Sequence, residues 1–245
     1  MSAPFDFEGL FDNDYLYFYD PNLTAERSER EVELIWQLLA LEGGMSVLDL
    51  ACGHGRITNR LAQRGGEMTG LDVTPLFLER ARQDTEQMGV EVEYVEGDMR
   101  SLPWTERFDC IVNWFTAYGY FNDKDNRRVL AEVYRALKPG GKFLIEHPNR
   151  DRVLKNFQSA WVTERDDNYL IDLSQYNLIT GCVETERIVI RDGQVRRLSF
   201  FVRLFPYTEL RDWLMQAGFS QVGGYGSDGE PLTLDSRRMY IVAHK

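Results

Sequence analysis

Apolar residues recur along this chain in two rhythms. Val32, Leu34, Ile35, Leu38, Leu39 and Leu41 fall at helical spacing. Ahead of them Ser28-Glu29-Arg30-Glu31 fits a capping box, Thr24 is the other candidate cap, and Gly43-Gly44 ends the run. The rhythm then alternates between short apolar runs and amphipathic stretches. Strands are predicted over 47–50, 67–71, 90–95, 108–113 and 142–146, with helices over 56–64, 75–88 and 123–137 between them. Thr74-Pro75 opens the second of these helices, and Lys138-Pro139-Gly140-Gly141 closes the third. Strands alternating with helices imply an α/β fold with a doubly wound, mostly parallel sheet.

Residues 150–205 break this rhythm. Four strand-like runs, over 161–165, 169–174, 183–191 and 194–204, follow one another with no helical pattern between them, and Asp192-Gly193 is a hairpin signal. An antiparallel β insert after the fifth strand is expected. A helix over 207–217 and strands over 219–225 and 238–243 then return to the main sheet. The expected division is 1–149 as core with an N-terminal helical lid, 150–205 as insert, and 206–245 as the closing helix and strands.

Composition narrows the class. The chain has 245 residues, 43% hydrophobic and 27% charged, which is ordinary for a soluble domain. The net charge of −11 argues against a nucleic-acid or anionic-membrane surface. Cys52, Cys110 and Cys182 have neither metal-like spacing nor a disulfide pattern, so a reducing, cytoplasmic setting and no metal site are expected. The N-terminus lacks the basic and apolar regions of a signal peptide, and no apolar run is long enough to span a membrane. Phe5 to Pro21 is rich in Phe, Tyr and Asp, too aromatic for a disordered tail, and should pack on the rest.

The chemistry centres on Met45 to Asp72. Strand, small-residue turn (Ala51-Cys52-Gly53-His54-Gly55), helix, strand and acid are the layout of a nucleoside-binding βαβ unit. Small residues let the backbone approach a ligand, the helix start offers free N–H groups, and Asp72 can accept from both ribose hydroxyls. A dinucleotide site asks for G-x-G-x-x-G, but Thr58 stands where the third glycine would be. The alternative, D-x-G-x-G-x-G, matches Asp49 to Gly55 with Ala51 in place of the first glycine. Alanine dislikes the left-handed region, so Ala51 is expected at negative φ.

Together with Phe18 to Arg27, Glu96 to Arg100, Leu137 to Gly141 and Pro231 to Ser236, these residues make the chain resemble the bacterial class I S-adenosylmethionine-dependent methyltransferases of the small-molecule branch, with a Rossmann-like fold. The resemblance implies S-adenosylmethionine as cofactor and S-adenosylhomocysteine as product. It implies that Ala51 and Gly53 hold the methionyl part, Asp72 the ribose, Val73 and Met99 the adenine ring and Asp98 its amino group. Asn113, Trp114 and Phe115 would line the sulfonium and the substrate mouth. Arg27 could bind the cofactor carboxylate bidentately, under a lid in which Tyr17 or Tyr19 donates a hydroxyl. His147, after the fifth strand, is the candidate base. Tyr118, Asn149 and Arg150 are candidates for a small-molecule acceptor pocket, roofed by the insert, through which two copies could also form a homodimer. The competing readings are a non-catalytic, regulatory S-adenosylmethionine-binding protein and an NAD-dependent oxidoreductase.

Overall fold

The computed structural model describes residues 6–245; residues 1–5, among them Phe5 of the aromatic opening, lie outside the described ones. Seven strands form the main sheet: β1 (Ser46–Leu50), β2 (Glu67–Asp72), β3 (Val92–Glu96), β4 (Phe108–Asn113), β5 (Leu137–Pro148), β10 (Gln221–Tyr225) and β11 (Arg238–His244). Their order is β10-β11-β5-β4-β1-β2-β3, with β1 to β5 parallel and β11 antiparallel to both its neighbours. The fold is thus mixed α/β with a mostly parallel sheet. The strand order reverses between β1 and β4, and ligands of such sheets bind in the crevice beyond the strand ends at that point.

The period-two alternation of the strands sorts the core into two layers. Phe143 and Ile145 face α6 (Asp123–Ala136) and α8 (Tyr207–Ala217), where Val129, Val133, Leu210 and Leu214 are buried. Leu144 points the other way, into a cluster with Val32, Ile35 and Leu39 of α3 (Ala25–Leu39) and Leu61 of α4 (Thr58–Gln63). Each fully buried side chain of this kind contributes about 1.5–3 kcal/mol by removal from water. α5 (Pro75–Met88) starts at the proline expected to start it.

Some expectations are corrected. Thr24 caps α3, accepting from the Arg27 amide at 3.2 Å, whereas Ser28 lies buried inside the helix and donates its hydroxyl to the Thr24 carbonyl. The helix ends at Ala40 in the left-handed region, three residues before Gly43. The Lys138–Gly141 stretch is not a helix closure but the irregular start of β5, with a register shift opposite Phe108 and Cys110. A Cβ on Gly141 would lie 2.9 Å from the carbonyl oxygens of Asp109 and Lys138, so only glycine fits there.

The acidic, aromatic opening is helical. Asp6 caps α1 (Phe7–Leu10) through the Gly9 amide, and Asp12 caps α2 (Asn13–Tyr19) through the amides of Asp14 and Tyr15. After α7 (Arg150–Lys155), a short helix that the residue pattern did not announce, comes a second sheet. It is antiparallel and ordered β6 (Ala160–Arg165), β7 (Asn168–Asn177), β8 (Cys182–Arg191) and β9 (Gln194–Arg203). Asp192 and Gly193 both have positive φ, +52° and +75°, as a two-residue hairpin turn requires. One face of this sheet receives α2. Phe18 packs on Leu170 and Val189, Arg196 binds Asp12 and Asp14, and the guanidinium groups of Arg165 and Arg191 lie 4.3 and 4.2 Å from the Tyr17 ring centre. Among the described residues no helix is long and apolar enough to cross a membrane.

Candidate active site

A cavity of about 520 Å³ opens beyond the ends of β1, β2, β4 and β5, under α1 and α2. Its first end is the βαβ turn. The Asp72 carboxylate, 7% exposed, accepts from the Gly53 amide and the Thr74 amide, each at 2.8 Å, and so ties the turn to the end of β2. Burial raises its pKa, and the backbone donors of Thr74 and Gly53 oppose the rise. Each carboxylate oxygen keeps a lone pair for a further donor. Asp49 is buried beside it and accepts from the Thr58 hydroxyl at 2.6 Å. Burial lifts its pKa to about 6; the Thr58 bond opposes and the Asp72 charge adds.

The turn has left-handed backbone at Ala51 (+63°), Gly53 (+57°) and Gly55 (+75°). The expected negative φ of Ala51 is therefore wrong. The chain on either side is fixed, since Asn113 donates to the Leu50 carbonyl at 2.8 Å and the Cys52 amide to the Leu71 carbonyl at 3.0 Å. These bonds hold alanine in a conformation costing about 1–2 kcal/mol. A Cβ at Gly55 would come within 2.3 Å of the Tyr94 hydroxyl, so that position is closed to side chains.

The second end is built from side chains of distant segments. Glu31 of α3 accepts from Arg27, from Arg56 and from the Trp114 indole N–H at 3.1 Å. Burial raises its pKa, but the two guanidinium groups outweigh that and leave it below the ordinary value. Both guanidinium groups also lie over the Phe115 ring, at 5.4 and 5.7 Å from its centre. Phe115 and Thr116, directly after β4, have φ of +62° and +59°. Two consecutive non-glycine residues in that region are strained and persist only where surroundings enforce them. Here the buried Glu146 accepts from the Thr116 amide at 2.8 Å and from Arg238, which also binds the Thr116 hydroxyl. Tyr15 and Tyr19, stacked 4.4 Å apart, close the cavity from α2, and the Tyr19 hydroxyl accepts from Arg187 of β8 at 3.0 Å.

Of the residues singled out from the sequence, Tyr19, Arg27, Ala51, Gly53, Asp72, Val73, Met99, Trp114 and Phe115 line this cavity. Asp98 does not. It lies in a small adjoining recess with Met99 and Val73, gripped by Arg100, whose charge outweighs burial and keeps its pKa low. Asn113 is fully buried and braces β4 against β1. His147 is corrected most firmly. It alternates with Glu146 on β5 and so points to the opposite face, fully buried against Phe205, where burial and then the Arg238 charge lower its pKa to about 3. Tyr118 is likewise buried beside Phe205, donating to the Asn126 carbonyl. Arg150 pairs with Asp151 outside the cavity, and Asn149 holds the carbonyls of Thr233 and Ser236. No residue of 150–205 lines the cavity; that segment holds α2, which does.

Sequence reasoning missed Arg56, Glu31, Tyr15, Tyr120, Glu146, Arg237 and Arg238 as lining residues. The available signal was a carboxylate ending the apolar run of β5. The Arg237-Arg238 pair gave none until β11 was known to run antiparallel, which brings its first residues beside the end of β5. Of the three histidines only His54 reaches the cavity, and burial lowers its pKa, with Asp20 opposing.

A doubly wound sheet whose glycine turn and strand-end acid face one cavity has the layout of a nucleoside-binding α/β enzyme. Residues 47–141 match a methyltransferase domain family. The chain is 28% identical over 243 residues to a putative methyltransferase of Geobacillus sp. strain WCH70, covering 94% of this chain and 98% of that one. It is 30% identical over 190 residues to the ubiquinone/menaquinone biosynthesis C-methyltransferase UbiE of Klebsiella pneumoniae, covering 74% and 69%. A crystal structure of an S-adenosylmethionine-dependent methyltransferase from Clostridium acetobutylicum superposes with a TM-score of 0.78 at 16% identity, covering 95% and 98%. The chain belongs to the class I S-adenosylmethionine-dependent methyltransferases.

Proposed function

We propose that this enzyme moves a methyl group from S-adenosylmethionine to a small-molecule acceptor held in the same cavity. The observation that carries the reading is the cavity itself. At about 520 Å³ it lies in the range of small-ligand sites, roughly 300–1,000 Å³, and α1 and α2 roof it with aromatic side chains. A macromolecular acceptor would have to displace that roof.

The residues present fit the cofactor. The turn from Ala51 to Gly55 leaves room for a close backbone approach, Asp49 offers a carboxylate toward cationic groups, and Asp72 retains acceptor capacity for ribose hydroxyls. Val73 and Met99 border the recess suited to a flat base, with Asp98 at its far side. Arg27 and Arg56, shared with Glu31, face the methionyl carboxylate in this reading, with Tyr19 beside them. When bound, S-adenosylmethionine supplies a methyl group already activated by its sulfonium. The protein's work is alignment and exclusion of water. His147 takes no part. Glu31 is held ionised by its two arginines, and the Tyr15 and Tyr120 phenols are pushed up by burial, so each stays protonated near neutral pH. His54 is the neutral imidazole at the cavity and the remaining candidate for accepting a proton. In this reading 150–205 serves as the mount of the lid rather than as the wall of the pocket. The three unpaired, buried cysteines suit a cytoplasmic setting.

Calorimetric titration with S-adenosylmethionine, S-adenosylhomocysteine and NAD tests the cofactor. Binding of the first two and not the third is expected, and the reverse overturns the reading. Release of S-adenosylhomocysteine across a panel of small amines, alcohols and activated carbon acids tests the reaction.

A further inference from the structure

Among the described residues, the charges lining the cavity balance until the methyl donor enters. Four arginines, Arg27, Arg56, Arg237 and Arg238, stand against four carboxylates, Glu31, Asp49, Asp72 and Glu146. They are not evenly placed. Asp49 and Asp72 belong to the βαβ unit, Arg27 and Arg56 share Glu31, and Arg237 and Arg238 come from the start of β11 near the end of β5. The other two carboxylates are already committed: Glu31 to Arg27 and Arg56, Glu146 to Arg238. The side chain of Arg237 has no hydrogen-bond or ion-pair partner among the described residues, although it lines the cavity. S-adenosylmethionine brings two cations and one carboxylate, so the loaded cavity carries one positive charge in excess. The protein as a whole carries −11, so a free arginine here is not explained by a general surplus of basic residues.

We infer that the acceptor carries an anionic group, a carboxylate or a phosphate ester, and that Arg237 receives it at the cavity rim. The inference rests on the methyl-transfer reading above. Topology supports it. β11 begins where β5 ends, pairing Arg238 with Pro148, and the Asn149 amide meets the Arg237 carbonyl at 3.5 Å, so Arg237 is delivered to the cavity rim just past the end of β5. A guanidinium can bind either anion bidentately. The same cavity is lined by Phe115, Tyr120 and Tyr240, which favour an apolar or aromatic body behind the anionic group. The same guanidinium disfavours cationic acceptors, since a like charge there would remain uncompensated.

The test is a titration of the full chain saturated with sinefungin, a non-transferring analogue in which a cationic amine stands where the sulfonium is. Benzoate and phenyl phosphate serve as anionic probes, and benzamide and phenol as their neutral twins. At least one anion is expected to bind about tenfold or more tightly than its twin, and which anion does so separates carboxylate from phosphate recognition. Arg237→Gln is expected to abolish that preference while the affinity for S-adenosylmethionine, titrated separately, is unchanged. Arg237 is exposed and unpaired, so the variant should fold. Neutral twins that bind as well as the anions, failure of all four probes, or a preference that survives Arg237→Gln would each overturn the inference. Loss of S-adenosylmethionine binding by the unmodified chain would instead overturn the reading on which it stands.

Discussion

The two ends of the cavity are made in different ways. At the turn end the ligand-facing groups belong to one stretch of 28 residues, Met45 to Asp72, and much of the surface is backbone. Its shape follows from glycine conformations and from one carboxylate that binds two amides. At the other end the surface is side chain, drawn from α2, α3, the loop after β4, β5 and β11. Strain is held there by a buried Glu146–Arg238 pair rather than by glycine. In the proposed reading the backbone-built end takes the constant cofactor, and the side-chain-built end can change with the acceptor while the turn stays as it is.

Four experiments can break or sharpen that contrast. The largest effect is expected from Asp72→Ala, which leaves the Gly53 and Thr74 amides without their acceptor and, in the proposed reading, removes the ribose contact. Each buried donor left unpaired costs about 1–3 kcal/mol, so cofactor affinity should fall by about 100-fold or more in calorimetry. An unchanged affinity would dissolve the turn end as defined here. Glu146→Gln comes second. It weakens the hold on Thr116 and leaves the Arg238 charge uncompensated, so kcat/KM should drop about 10–100-fold while cofactor affinity stays within a few-fold. A parallel loss of cofactor affinity would mean that the two ends are not separable.

The third is pH. Asp49 is charged above about 6 and neutral below, so affinity for the cationic cofactor should decline by up to about tenfold per unit as pH falls through 6, and Asp49→Asn should flatten the profile. For stability the sign is opposite. Because the folded-state pKa is raised, the folded protein holds this proton more tightly than the unfolded chain. The contribution is therefore favourable below the unfolded pKa, near 4, and is lost as pH rises to about 6. Thermal denaturation of the unliganded protein at pH 5 and pH 7, compared between wild type and Asp49→Asn, reads this difference. The smallest effect is expected from Tyr19→Phe. It removes the Arg187 contact at the roof while Arg187 keeps its two bonds to Asp172, so KM should rise only a few-fold with the fold intact.

The strand and helix order was readable because each element repeats one hydrophobic period, and period is a local property of sequence. The helix of 75–88 and the strand of 108–113 agree with their expected bounds for that reason. A helical lid was expected at the N-terminus, but the bounds of its helices were not readable: α1 spans four residues and α2 seven, too short for a period to declare itself, and their caps are acids that read as plain negative charge. His147 was drawn to the site by its place after an apolar strand, but alternation along β5 put Glu146 there instead.

Sequence by itself determined the doubly wound sheet, the antiparallel strands after the fifth strand and the glycine turn at one end of the cavity, because these depend on periodicity and on glycines within one short segment. Tertiary structure alone decided the other end, where Glu31, Glu146, Arg237 and Arg238 meet from positions up to 207 residues apart (238 − 31). The physical reason is that burial, strand direction and the pairing of charges are set by which segments become neighbours, and spacing along the chain does not encode that.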